Sequence, residues 1–134
     1  MQPPVRTARG GGRHPHRQRR SHRPNVFVKD PDTGWRARPN LDKVIVDANG
    51  GRFRLSTDAD GYRLSYPRDE RPADHVPVVL VLGDSFAQGV TVEDEETFVW
   101  NMAREFTNYR FVNLGVAGYS TVQELIGKPG KWSM

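Results

Sequence analysis

The chain has 134 residues, 36% of them hydrophobic and 27% charged, which suits one small domain with polar flanks. It has no cysteine, so a disulfide scaffold and a thiolate metal site are excluded. The formal charge of +4 is uneven: residues 1–25 hold seven arginines and no acid, leaving 13 basic against 16 acidic side chains in residues 26–134. A nucleic-acid partner is therefore not implied for the folded part.

Residues 1–25 are rich in Arg, Gly, Pro and His, with almost nothing apolar to offset the entropy of ordering them. They read as a disordered tail. An Arg-rich nucleic-acid-binding tail is the sharper alternative, and upstream sequence included by a misplaced start is the blander one. No apolar run approaches the roughly 20 residues of a membrane span. No apolar stretch follows the charged N-terminus as a secretory signal requires, so localisation stays unassigned.

Residues 26–75 read as a small β-rich segment and linker. Val44-Ile45-Val46 is a strand candidate, and Asn49-Gly50-Gly51 is a turn signal. Phe53 and Leu55 then alternate with Arg52 and Arg54, which predicts a hairpin. Asp58-Ala59-Asp60-Gly61 is a second turn, leading into Tyr62-Arg63-Leu64, and the polar run from Pro67 to Pro77 is a linker.

Residues 76–134 change character. The continuous apolar run Val78 to Leu82 predicts a strand buried on both faces in the middle of a parallel sheet. Phe98, Val99, Met102, Ala103 and Phe106 recur at helical spacing behind the acidic stretch Glu93 to Glu96, predicting a helix over about 94–106 that starts on its acids. Tyr109 to Leu114 is a second strand. Ser120 with Gln123, or Thr121 with Glu124, predicts a capping box for a further helix, which Gly127, Pro129 and Gly130 stop. The order is βαβα, and two parallel strands bury too little for a stable doubly wound domain.

A serine nucleophile needs an exposed position, a base, and donors for the oxyanion formed on attack. Ser85, directly after a buried strand, meets the first need, because open α/β sheets bind ligands at the C-terminal edge. This is not the G-x-S-x-G elbow, since Ala87 stands where the second glycine belongs. Neither a P-loop nor a dinucleotide fingerprint follows the strand. The alternative for Ser85 is a helix cap, for Gly118 an ordinary loop glycine, and for Asp84 a turn-fixing side chain. His75 reads as a solvated linker histidine. His14, His16 and His22 have no nearby carboxylate, and no metal site is read. Trp35, Trp100 and Trp132 read as packing or partly exposed residues.

Val79-Leu80-Val81-Leu82-Gly83-Asp84-Ser85-Phe86 resembles the first block of the SGNH/GDSL hydrolases, and Asn113-Leu114-Gly115-Val116-Ala117-Gly118-Tyr119-Ser120-Thr121 resembles the second. Gly89 to Phe98 and, more loosely, Asp30-Pro31-Asp32-Thr33-Gly34-Trp35 also resemble bacterial members. The resemblance implies a partial three-layer, flavodoxin-like α/β domain preceded by the β-rich segment. It implies Ser85 as nucleophile, with its own N–H and that of Gly118 as oxyanion donors. The family's Gly-x-Asn-Asp and Asp-x-x-His blocks have no match, so the triad Asp and His have no candidates and the chain reads as the N-terminal portion of such a domain. The implied activity is hydrolysis of a carboxylic ester or thioester, with no metal or organic cofactor. The implied substrates are small esters, lipids or O-acetylated carbohydrates. The rival reading is a catalytically inactive fragment or frameshifted product, with self-association through an exposed sheet edge.

Overall fold

The computed structural model describes residues 25–70 and 72–127. Over these residues the protein is mixed α/β, with two antiparallel strand pairs, one parallel pair, three α-helices and one 3-10 turn. The expectation for residues 1–25 lies outside the described residues except at Asn25, whose carbonyl accepts the Arg38 Nε–H at 2.7 Å. Pro129, Gly130 and Trp132 also lie outside them.

Strands β1 (Phe27–Asp30) and β2 (Gly34–Ala37) form a tight antiparallel hairpin. Its turn is built by Asp30, whose carboxylate accepts the Asp32 N–H, the Thr33 N–H and the Thr33 hydroxyl, each at 3.0 Å. The Thr33 N–H in particular holds the Asp30 pKa below its usual value. β3 (Asp42–Val46) and β4 (Arg52–Ser56) form the second hairpin. Asp47 closes it by accepting the Asn49 and Gly51 N–H groups at 2.7 and 2.9 Å. The alternation read in β4 is realised: Phe53 and Leu55 are buried with Leu41, while Arg52 and Arg54 face out. Val44 and Val46 stay exposed, because one face of this pair has no described cover.

β5 (Val78–Val81) and β6 (Arg110–Asn113) run parallel, Val78 opposite Arg110 and Val81 opposite Asn113. Helix α1 (Ser85–Gln88) is a single turn directly after β5, and α2 (Phe98–Glu105) lies in the crossover to β6. The second core sits between α2 and the sheet: Val99, Ala103 and Phe111, with Tyr66, Val79, Val81 and Met102 against them. Fully burying Val99 contributes roughly 1.5–3 kcal/mol relative to leaving it in water. α3 (Thr121–Ile126) opens on the Ser120–Gln123 capping box, one of the two pairs expected, and ends at Gly127.

Three expectations are corrected. The helix does not run from 94 to 106. Asp94–Glu96 is a separate 3-10 turn, and Thr97, in extended conformation, restarts the chain as the N-cap of α2 by accepting the Trp100 N–H at 3.2 Å. The acids therefore precede the helix, and Asp94 points inward. Phe98 and Phe106, read as part of the apolar set at helical spacing, are 48% and 52% exposed. Finally, β5 is not flanked on both edges: among the described residues it pairs only with β6, and all four of its residues are half-buried.

The two halves are stitched together at Arg63. Its backbone forms antiparallel bridges to Thr57, just after β4, and to Asn113 of β6. Next to it, burial pushes the Tyr62 phenol up to about 12, with Asp60 and Asp58 adding in the same direction. Tyr119 is raised too, again chiefly by burial. A phenol whose folded pKa lies above the unfolded value near 10 favours the folded state below that value and loses this contribution as pH rises through the folded pKa. Stability to urea should thus fall between about pH 10 and pH 12, and Tyr62→Phe should flatten that fall. Parallel curves for parent and variant across this window would contradict the assignment.

Candidate nucleophile and oxyanion site

After β5 the chain turns through Leu82, Gly83 and Asp84, and Ser85 opens α1. The Asp84 carboxylate accepts the Phe86 N–H at 2.9 Å, so Asp84 braces the turn. Ser85 is half-buried and Phe86 is 85% exposed, which puts the serine on an open rim at the C-terminal edge of the parallel pair. Among the described residues, none hydrogen-bonds the Ser85 hydroxyl or its N–H.

The loop after β6 lies directly against this turn. The Leu114 N–H donates to the Val81 carbonyl at 2.8 Å and the Val116 N–H to the Gly83 carbonyl at 3.1 Å. Asn113 is completely buried between them: its Nδ2 donates to the Ala87 carbonyl at 2.7 Å, and its Oδ1 accepts the Gly115 N–H at 2.9 Å. Gly115 is required by this approach, since a Cβ there would lie 2.4 Å from the Gln88 nitrogen and 2.7 Å from the Ala87 carbonyl carbon. Two residues further, the Ala117 N–H donates to Gln88 Oε1 at 2.9 Å. These contacts hold the loop on the α1 turn. Gly118 follows at φ +85°, exposed, and its N–H donates to no acceptor among the described residues. Ser85 and Gly118 thus present two unused backbone donors on two clamped loops at one sheet edge.

Two braces come from the N-terminal β segment, and neither was visible in the sequence. The first is Arg63, whose side chain is fully buried. Nε donates to Asp94 Oδ1 at 3.1 Å, Nη1 to the Gln88 carbonyl at 2.8 Å and to the Gly89 carbonyl, and Nη2 to the Arg54 and Val92 carbonyls at 2.8 Å each. All five guanidinium N–H groups are satisfied. Burial lowers the Arg63 pKa and the Asp94 charge opposes that, so the guanidinium stays protonated at neutral pH. The same Asp94 oxygen accepts the Ser56 N–H at 3.0 Å. The segment leaving α1 is thereby fastened to β4.

The second brace is the β1–β2 hairpin. Trp35 Nε1 donates to the Ala117 carbonyl at 3.1 Å, and Gln123 Nε2 donates to the Thr33 carbonyl at 2.8 Å. The Tyr119 hydroxyl donates to the Trp35 carbonyl at 2.6 Å, and its ring meets the Trp35 indole edge-on at 5.8 Å.

No base is brought to Ser85 by the described residues. His75, the only histidine among them, is exposed and precedes the N-terminal end of β5, whereas Ser85 follows its C-terminal end. The intervening strand alone separates the two ends by roughly 10 Å. Hollows of about 320 and 380 Å³ lie elsewhere, one between residues 58–68 and β6, the other between the β1–β2 turn and Tyr119, and Ser85 lines neither. No group of three or more His, Asp or Glu among the described residues is placed to hold a metal ion, and no helix among them is long and apolar enough to cross a membrane. Compared with models of known protein families and with curated proteins, the chain matches none.

Proposed function

We propose that this chain carries the nucleophile portion of an SGNH/GDSL-type serine hydrolase with a flavodoxin-like sheet. It would act on carboxylic ester or thioester bonds of a small ester, a lipid or an O-acetylated carbohydrate. The observation that carries the reading is the pair of unused N–H donors, Ser85 and Gly118, on loops clamped together beside a serine hydroxyl at the sheet's C-terminal edge. The Ser85 oxygen attacks the acyl carbon and its proton passes to a base outside the described residues. The carbonyl oxygen takes up the negative charge and is received by the two N–H groups. The alcohol or thiol then leaves, and water releases the acid from the acyl-serine.

The direct test is a fluorophosphonate, which forms one covalent bond and loses fluoride. Over hours, peptide mapping should find the adduct on Ser85 in preference to Ser56, Ser65 and Ser120, and none at that position in Ser85→Ala. Adducts spread evenly over the serines, or absent from Ser85, would sink the reading.

A second expectation concerns turnover. A serine triad works as a unit, and without its base only the smaller contribution of binding and oxyanion donors remains. The 134-residue chain should therefore hydrolyse p-nitrophenyl acetate barely faster than its Ser85→Ala variant. Robust turnover that vanishes in the variant would mean that a base is supplied from within this chain.

A further inference from the structure

We propose that Trp35 is a positioning residue for the Gly118 oxyanion donor; the inference rests on the reading of Ser85 and Gly118 just given. The Ala117 carbonyl and the Gly118 N–H belong to the same peptide unit. That unit is planar and trans, so its oxygen and its hydrogen point in opposite directions. By donating to the Ala117 oxygen at 3.1 Å, the Trp35 indole N–H fixes where the Gly118 N–H points. It also polarises the unit: a hydrogen bond accepted by the carbonyl makes the attached N–H a stronger donor.

The neighbouring contacts leave this peptide one orientation. On one side the Ala117 N–H is held by Gln88 of α1. On the other, the left-handed Gly118 backbone packs against the indole, where an added Cβ would come within 3.2 Å of Trp35 Cζ2. Trp35 is itself held through its carbonyl by the Tyr119 hydroxyl. The β1–β2 hairpin, 82 residues upstream of Ala117 at this contact, is thus part of the site's geometry.

The experiment compares the 134-residue chain with Trp35→Phe, which keeps an aromatic ring against Tyr119 and removes the indole N–H together with the ring edge that packs on Gly118. Two readouts are taken on each: the amide nitrogen and proton resonances of Gly118, and the rate of fluorophosphonate addition to Ser85. The expected result is a folded variant whose Gly118 amide moves upfield while Val99 and Phe111 stay in place. Its Ser85 reaction should slow by roughly tenfold, less than the hundredfold or more lost when a donor is removed outright. Because loss of the indole ring beside Gly118 itself moves that resonance, the readout a merely structural role would not give is the slowed addition at Ser85 in a variant whose Val99 and Phe111 are unmoved. An unmoved Gly118 amide, or equal rates at Ser85 in both proteins, overturns the role of Trp35 and leaves the hydrolase reading standing. Absence of any Ser85 adduct in the parent chain overturns that reading and the proposal with it.

Discussion

Replacing Arg63 with methionine is expected to cost about 3–5 kcal/mol of folding stability, the usual consequence of removing one partner of a buried ion pair. Much of the effect comes from what is left behind. Asp94 would remain buried with the Ser56 N–H but without its cation, and the carbonyls of Arg54, Gln88, Gly89 and Val92 would each lose a donor. Small domains have a total stability of roughly 5–15 kcal/mol, so this one change should unfold a large fraction of the molecules. Arg63→Lys should rescue little, since one ammonium cannot reach partners arranged for a planar fork. Adding Asp94→Leu to Arg63→Met should recover part of the loss, because it removes the stranded charge. Urea denaturation of the three variants checks this. A midpoint for Arg63→Met within error of the parent would show that the buried network does not hold the two halves together.

Asn113→Ala should be the next most damaging change, at about 3 kcal/mol. Among the described residues, its amide is the only side chain that joins β6, the loop after it and α1, and both its polar ends are in use. Truncation leaves the buried Ala87 carbonyl and Gly115 N–H without partners, each at a cost of roughly 1–3 kcal/mol. The loss should also free the loop from the α1 turn, so fluorophosphonate addition to Ser85 should slow under conditions where the variant is still folded. A variant with parental stability and parental reactivity would show that Gly115 packing and the Ala117–Gln88 contact suffice on their own.

The parts of this fold that were legible in the sequence are those set by local rules. Asn49-Gly50-Gly51 with alternating Phe53 and Leu55 marks the β3–β4 hairpin because turn geometry and the two-residue strand period act within a few residues. The run Val78 to Leu82 marks β5, and Ser120 with Gln123 marks the start of α3, for the same reason. What was not legible depends on contacts distant in sequence. Arg63 and Asp94 look like two ordinary surface charges, and only their burial against each other, 31 residues apart, makes them a core pair. The inward turn of Asp94 also explains why the acidic stretch did not become the first turn of α2. Trp35 was readable as a packing residue, but its hydrogen bond to Ala117 was not, since nothing near it in the chain indicates the loop it meets. The site divides along the same line. The positions of Ser85 and Gly118 follow from strand ends and a glycine in a loop, whereas the braces that hold them come from the segment before β5.

The measurement that bears most directly on the site is a crystal structure of the Ser85 phosphonyl adduct. In it, the phosphonyl oxygen that takes the place of the oxyanion should lie about 2.7–3.1 Å from both the Ser85 and the Gly118 nitrogens. The Trp35 indole should still be bonded to the Ala117 carbonyl behind it. An adduct whose oxygen points into solvent, with the Gly118 N–H unengaged, would contradict the assignment of these two loops as an oxyanion site.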